Sequence, residues 1–189
     1  MQQQIKAAMQ NHKEMLARFE STGLESIAAA AQLLVTALKN GGRIYICGNG
    51  GSAADAQHIA CELVGKFLKD RKALPAMALV TDSSILTAIA NDYGFESVFA
   101  RQVEAFVRPG DILWAISTSG SSPNIIAAAE LARKKGAKVL AFTGKNNCKL
   151  EKLADVCVCA DAVTSAASQQ IHQIAYHIIC QIVEQNIFD

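Results

Sequence analysis

The chain has 189 residues, of which 51% are hydrophobic and 19% charged, and its formal net charge is +1. This is the composition of a globular domain with a sizeable core, which excludes a disordered chain. A charge so close to zero leaves no global field to draw the protein to nucleic acid or to an anionic membrane.

Residues 3–19 place Ile5, Ala8, Met9, Met15, Leu16 and Phe19 at helical spacing, and the spacing predicts a moderately amphipathic helix. A break is expected from Ser21 to Leu24. A second, alanine-rich helix is expected over 25–39, stopped by Asn40-Gly41-Gly42. These two helices, within 1–40, have apolar faces to bury on a sheet or on another subunit. Strand-length apolar runs follow at 43–47, 76–80, 111–116, 138–143 and 156–160. Helical stretches separate most of them, at 52–68, 83–90 with 94–106, 123–135 and, briefly, 148–153. A last helix is expected over 166–186, with Ile171, Ile174, Ile178 and Ile182 on its buried side. Strands that read as continuous apolar runs and alternate with helices predict a parallel sheet covered on both faces. Residues 1–189 are expected to form one α/β domain, without linker or internal repeat.

The remaining compositional signals point to a cytoplasmic protein. MQQQIKAAMQNHKEM lacks the apolar centre of a signal peptide. The richest apolar run, SIAAAAQLLVTAL, is short for a membrane span and is interrupted by Gln32 and Thr36. The six cysteines (47, 61, 148, 157, 159 and 180) show no metal spacing and read as buried, reduced thiols, with Cys157 and Cys159 on one face of a strand. Arg71-Lys72 and Arg133-Lys134-Lys135 read as solvated helix ends.

In open parallel sheets ligands bind beyond the carboxyl ends of the strands. Here that rim carries GNGGS, TDSS, STSGSSPN and TGKNN. Gly48-Asn49-Gly50-Gly51-Ser52-Ala53 satisfies the dinucleotide pattern G-x-G-x-x-G/A. The acidic residue that should follow some 20 positions later is missing from the end of the second strand, which falls at Thr81-Asp82. Glu62, at closer spacing, lies inside the following helix, so a nucleotide cofactor is not expected. STSGSSPN is the stronger signal: five hydroxyls (Ser117, Thr118, Ser119, Ser121 and Ser122) surround Gly120, with Ser122 as N-cap and Pro123 as first helical residue. Such a helix start binds a phosphate dianion without lysine or arginine. Without G-K-[ST] the ligand is expected to be a small phosphoester. His58 and Glu62, one helical turn apart, share a face. Gln169 and His177 can likewise face one way. Taken alone, His58–Glu62 reads as a surface hydrogen bond as well as a site, and His172 as a core histidine.

CGNGGSAADAQHIACEL, LTAIANDYGF, ISTSGSS and QQIHQIAYHI make the chain resemble the phosphoheptose isomerases, within the sugar isomerase (SIS) domain group, over nearly its full length. The resemblance implies a three-layer αβα sandwich with a five-stranded parallel, flavodoxin-like sheet. It implies interconversion of sedoheptulose 7-phosphate and D-glycero-D-manno-heptose 7-phosphate through an enediolate, for lipopolysaccharide or related glycan precursors. It also implies a homotetramer with sites at subunit interfaces. By the same resemblance Glu62 and His177 are the acid/base pair, and Asn49, Gly50, Gly51, Ser52, Asp82, Asn91, Asp92 and Gln169 contact the sugar. Ser117, Thr118, Ser119 and Ser122 would hold the phosphate. In some members the positions of His58, Glu62, Gln169 and His177 bind zinc. Two departures bear on substrate identity: Ala166-Ala167 stands where relatives often have Pro-Arg, and Lys66 where arginine is common. The alternatives are a non-catalytic relative that binds a phosphosugar or a replication initiator, and an isomerase of another phosphosugar. The initiator-binding relatives lack the carboxylate–histidine pair, which favours the enzyme.

Overall fold

One long helix, α1 (Gln2–Lys39), precedes the first strand in a computed structural model that describes residues 1–189. The expected break at 21–24 is absent. Ser21 and Thr22 both donate to the Arg18 carbonyl, and Ser26 donates to that of Gly23, so their hydroxyls are satisfied inside helical geometry. Gly23 is buried under the Phe19 ring, where an added Cβ would meet ring atoms at 2.6 Å. That packing overrides a propensity cost of about 1 kcal/mol. Unbroken, α1 has the length and mean hydropathy (1.2 over 18 residues) of a membrane-crossing helix, which the expected break had hidden. Its second half is a core helix nonetheless, with Ile27, Ala30, Ala31, Leu34 and Val35 buried. Residues 1–14 are exposed.

The chain continues as β1 (Ile44–Gly48), α2 (Gly51–Val64), β2 (Ala76–Ala78), α3 (Ser83–Tyr93), a 3₁₀ turn (Phe95–Ser97), α4 (Ala100–Phe106), β3 (Ile112–Ser117), α5 (Pro123–Lys134), β4 (Lys138–Thr143), α6 (Lys149–Leu153), β5 (Val156–Cys159) and α7 (Ser165–Phe188). All five strands are parallel, in the order β2-β1-β3-β4-β5. Strand alternation splits the core in two. Ile112, Trp114 and Ile116 of β3 pack with α1, α2 and α7, whereas Leu113 and Ala115 pack with α4, α5 and α6. The strand order reverses between β1 and β3, so the crevice of the sheet opens there.

The buried stripe of α7 is not the expected one. Only Ile171 of the four isoleucines is fully buried; Ile178 is exposed, and the stripe runs through Ser168, His172, Ala175, Tyr176, Ile179, Cys180 and Val183. The helix is turned because polar residues on it have partners in the interior. His172 is one of them: its Nε2–H donates to the Thr143 carbonyl at 2.9 Å, and its Nδ1 has no partner. Glu184 is another. It forms an ion pair with Arg71 (Nε to Oε2, 2.9 Å) in which the two side chains are 3% and 2% exposed. Arg71 is therefore no solvated helix end. Its guanidinium also donates to the carbonyls of Glu62, Leu63 and Gly65, and Glu184 Oε1 accepts from the amides of Leu68 and Lys69. This clamp satisfies the open carbonyls at the end of α2. It ends the helix at Val64, where the sequence predicted 68.

Removing one partner of this pair leaves a buried charge uncompensated. Arg71→Ala or Glu184→Ala should lower stability by about 3–5 kcal/mol, read as a shift in the urea midpoint. The double variant should cost less than the two single losses added together. Burial holds the His172 pKa down at about 4, against an ordinary 6.5. Because the folded value lies below the unfolded one, the unfolded chain binds more protons between those limits. Stability should be complete above pH 6.5 and fall by about 3 kcal/mol as pH drops toward 4. His172→Gln should flatten that slope by close to one proton.

Candidate active site

At the switch point two loops face each other. β1 hands over at Gly48 to Asn49-Gly50 and α2; β3 hands over at Ser117 to 118–122 and α5. Asn49 and Asn124 exchange amide hydrogen bonds, each Nδ2 donating to the other's Oδ1 at 2.9 Å, and so tie the loops together. Asn124, the last residue of STSGSSPN, is buried directly after Pro123, and this burial gives it its part in the site. Gly120 turns the serine loop with φ +65°, and a Cβ there would also strike Cys148 Sγ at 2.2 Å. Ser122 holds the N-cap position of α5, as expected, yet its Oγ does not cap the helix. It lies 2.9 Å from Ser117 Oγ instead, which leaves the first-turn amides free of that side chain.

Between the loops lies an open pocket of about 280 Å³. Seven expected residues line it: Asn49, Gly50, Ser52, Ser117, Thr118, Ser122 and Gln169. Ser165, which the sequence reading did not assign, joins them, with its Oγ 3.0 Å from Thr118 Oγ1. Gly51 has to be glycine, because the Gln169 amide occupies the space where a Cβ would sit 2.4 Å from Nε2. No lysine or arginine lines the pocket. What it offers an anion is hydroxyls and the N-terminal ends of α2, α5 and α7. Ser119 is exposed beside it, with its Oγ 3.3 Å from Ser117 Oγ. Asp82, Asn91 and Asp92 are not brought to the pocket within this chain. Asp82 caps α3 by accepting from the Ile85 amide, and Asn91 donates to Asp92 on the exposed surface of that helix.

Deeper along the same two helices, about two turns into α2 and three into α7, stands a second cluster. His58 Nε2 is 2.9 Å from Glu62 Oε1; His177 Nε2 is 3.4 Å from His58 Nε2 and 3.9 Å from Glu62 Oε1. Phe67 stacks on the His177 ring at a centroid distance of 5.9 Å. Burial first, and the neighbouring His58 second, push the His177 pKa below its ordinary value against the opposing pull of Glu62. His177 is thus neutral near pH 7. Burial also raises the Asp55 carboxyl to about 6, opposed by His58, and one Asp55 oxygen is buried without a partner. Tyr176, a residue without a sequence signal, places its Oη 2.8 Å from His58 Nδ1.

The His58, Glu62 and His177 donor atoms lie within 4.8 Å of one another and form a group able to hold a metal ion. Tetrahedral N and O ligands about 2.0–2.1 Å from zinc stand roughly 3.3 Å apart, and the three observed separations bracket that value. Gln169, expected as a further ligand, lines the serine pocket with its amide against Gly51. All six cysteines are free, but only Cys47 and Cys180 are buried; Cys61 is exposed and the other three are half-buried, two of them on the edge strand β5.

Comparison with known proteins adds to this geometry. The SIS domain family matches residues 9–144. A phosphoheptose isomerase of a Roseiflexus species is 50% identical over 163 residues, 86% of this chain and 83% of that protein. That of Rhodospirillum rubrum is 45% identical over 184 residues, 97% of each chain. Among solved structures, phosphoheptose isomerase from Neisseria gonorrhoeae superposes with a TM-score of 0.92 at 39% identity, covering 97% of this chain and 98% of its own. A phosphoheptose isomerase from Francisella tularensis superposes with a TM-score of 0.93 at 35% identity, covering 97% of both.

Proposed function

The chain belongs to the phosphoheptose isomerase family of SIS-domain proteins, and we propose that it interconverts sedoheptulose 7-phosphate and D-glycero-D-manno-heptose 7-phosphate. It is an aldose–ketose isomerase, and residues 1–189 act as one domain. The observation that carries this reading is the His58–Glu62–His177 cluster, set on the two helices whose N-terminal ends open on a pocket of hydroxyls.

In this reading the phosphate lies among Ser117, Thr118, Ser119 and Ser122, with Ser165 and the helix ends. The sugar extends past Asn49, Gly50, Gly51, Ser52 and Gln169 toward Glu62. The Glu62 carboxylate removes a proton from C1 of the ketose, and the C2 oxygen takes the developing charge and is protonated. The same carboxyl returns its proton to C2 while the C1 hydroxyl loses its own, which yields the aldose. His177, kept neutral by its surroundings, moves the proton between the two oxygens. His58, Glu62 and His177, with Gln169, would hold zinc, which when bound supplies Lewis-acid polarisation of those oxygens. The absence of arginine at Ala166-Ala167 leaves hydroxyl and amide contacts to read the distal carbons. Six free thiols are in keeping with a reducing, cytoplasmic setting, where the product would feed heptose-containing glycan precursors.

The site would be completed in a homotetramer. A groove of about 360 Å³, lined by Leu16, Phe19, Leu24, Ile27, Ile174 and Ile178 with Glu20 as its one charged residue, is open and mostly apolar, and α3 has no buried residue. A neighbouring subunit seated there would bring Asp82, Asn91 or Asp92 toward the sugar.

With sedoheptulose 7-phosphate as substrate, Glu62→Gln and His177→Ala should each lower kcat by about 10²–10⁴-fold with little change in KM. Ser122→Ala should chiefly raise KM. Full activity in either of the first two variants overturns the assigned roles, and faster turnover of a five- or six-carbon ketose phosphate overturns the substrate. Light scattering should give a mass four times the 20.1 kDa chain, reduced by Leu24→Glu or Ile178→Glu. A monomeric wild type would remove the completed-site reading.

A further inference from the structure

Asn49 and Asn124 stand 75 residues apart in the chain, one on each side of the pocket, and each carboxamide donates to the other at 2.9 Å. Asn124 is 2% exposed, whereas Asn49 lines the pocket. Neither side chain has another hydrogen-bond partner. A carboxamide carries two N–H donors on its nitrogen and two lone pairs on its oxygen. The pair uses one of each on either side, which leaves Asn49 one N–H and one lone pair for a ligand. The two ends of an amide are nearly equal in size, so shape alone does not tell them apart. The pairing does. If either group turned over alone, oxygen would face oxygen and N–H would face N–H. Burial in the first turn of α5 keeps Asn124 from swinging away.

We propose that Asn124 is a positioning residue for the anion: through Asn49 it fixes the carboxamide that faces the pocket and holds the glycine loop against the serine loop. The proposal rests on the phosphate reading of the pocket given above. With no lysine or arginine in the lining, affinity depends on dipoles that are already aimed when the ligand arrives. Replacing Asn124 by leucine keeps the buried volume and removes both hydrogen bonds. The Asn49 amide then presents donor and acceptor by turns, and the two loops are free to part.

The test measures binding of inorganic phosphate to the full chain by calorimetry, and kinetics with sedoheptulose 7-phosphate. Asn124→Leu should weaken phosphate binding about 10-fold and raise KM by a similar factor, with kcat held. Adding Asn124→Leu to Asn49→Leu should cause no further loss, because Asn124 acts only through Asn49. Asn124→Asp separates pairing from packing. Its carboxylate accepts from Asn49 Nδ2 but opposes Oδ1, and burial with that opposed oxygen raises its pKa. Once protonated, it donates and accepts as the amide did. Phosphate affinity relative to wild type at the same pH should therefore recover between pH 7.5 and 5.5 in Asn124→Asp and stay low in Asn124→Leu. Wild-type phosphate affinity in Asn124→Leu overturns the proposal, and so does a further loss in the double variant. Should the leucine variant fail to fold, the aspartate variant decides, since no recovery at low pH overturns the proposal as well. If phosphate binding follows the expected pattern while the wild type turns over no phosphosugar, the isomerase reading falls and the positioning by Asn124 stands.

Discussion

The register of α7 against the sheet and α2 is the constraint on which the site depends. One close approach and three polar contacts fix it along the helix: Gln169 packed over Gly51, then His172 on Thr143, Tyr176 on His58 and Glu184 on Arg71. A slide of one residue would turn each side chain about 100° away from its partner. Apolar packing alone would tolerate alternative rotations, since isoleucines are available on more than one face. The polar contacts select one. That is why the observed buried stripe is not the one marked by isoleucine spacing.

The charges divide into two kinds. Lys138–Asp155 and Arg101–Glu104 are exposed pairs worth little, of the order of 0–1 kcal/mol each. Arg71–Glu184 is dry and saturated with backbone partners, so it fixes geometry, and its disruption is costly. It lies directly behind Glu62, whose own carbonyl it holds. The pocket shows the opposite strategy. Where an anion would bind, there are no side-chain cations, only dipoles and hydroxyls.

Much of the architecture was legible in the sequence because strand, loop and helix signals agreed with one another. The continuous apolar runs gave the five strands, and the glycine and serine clusters marked the rim that the switch point organises. The proximity of His58 and Glu62 followed from helical periodicity, and their meeting with His177 from the family resemblance. Other features were not local and so left no local trace. Arg71 looks like any surface arginine until a glutamate 113 residues away folds against it. The break assigned at 21–24 is filled by a ring from the preceding turn, and the Ser122 hydroxyl pairs with that of Ser117 where a helix cap was expected. Tyr176 sits at a position that an apolar residue could fill; only the structure shows its hydroxyl reaching an imidazole.

The two subsites share the same pair of helices, and this turns α2 and α7 into a ruler. Six residues separate Ser52 from His58, about 9 Å of helix axis, and eight separate Gln169 from His177, about 12 Å. Glu62, whose side chain leans toward the N-terminus, reaches back to His58 and does not lengthen the span. On the proposed reading, a sugar that passes Ser52 and Gln169 on its way to Glu62 is spanned by that length of helix, which favours an extended chain. Short phosphosugars would be anchored without being reached, and cyclic ones would have to open first. Chain length would be read by rigid backbone, with no side chain devoted to measuring it.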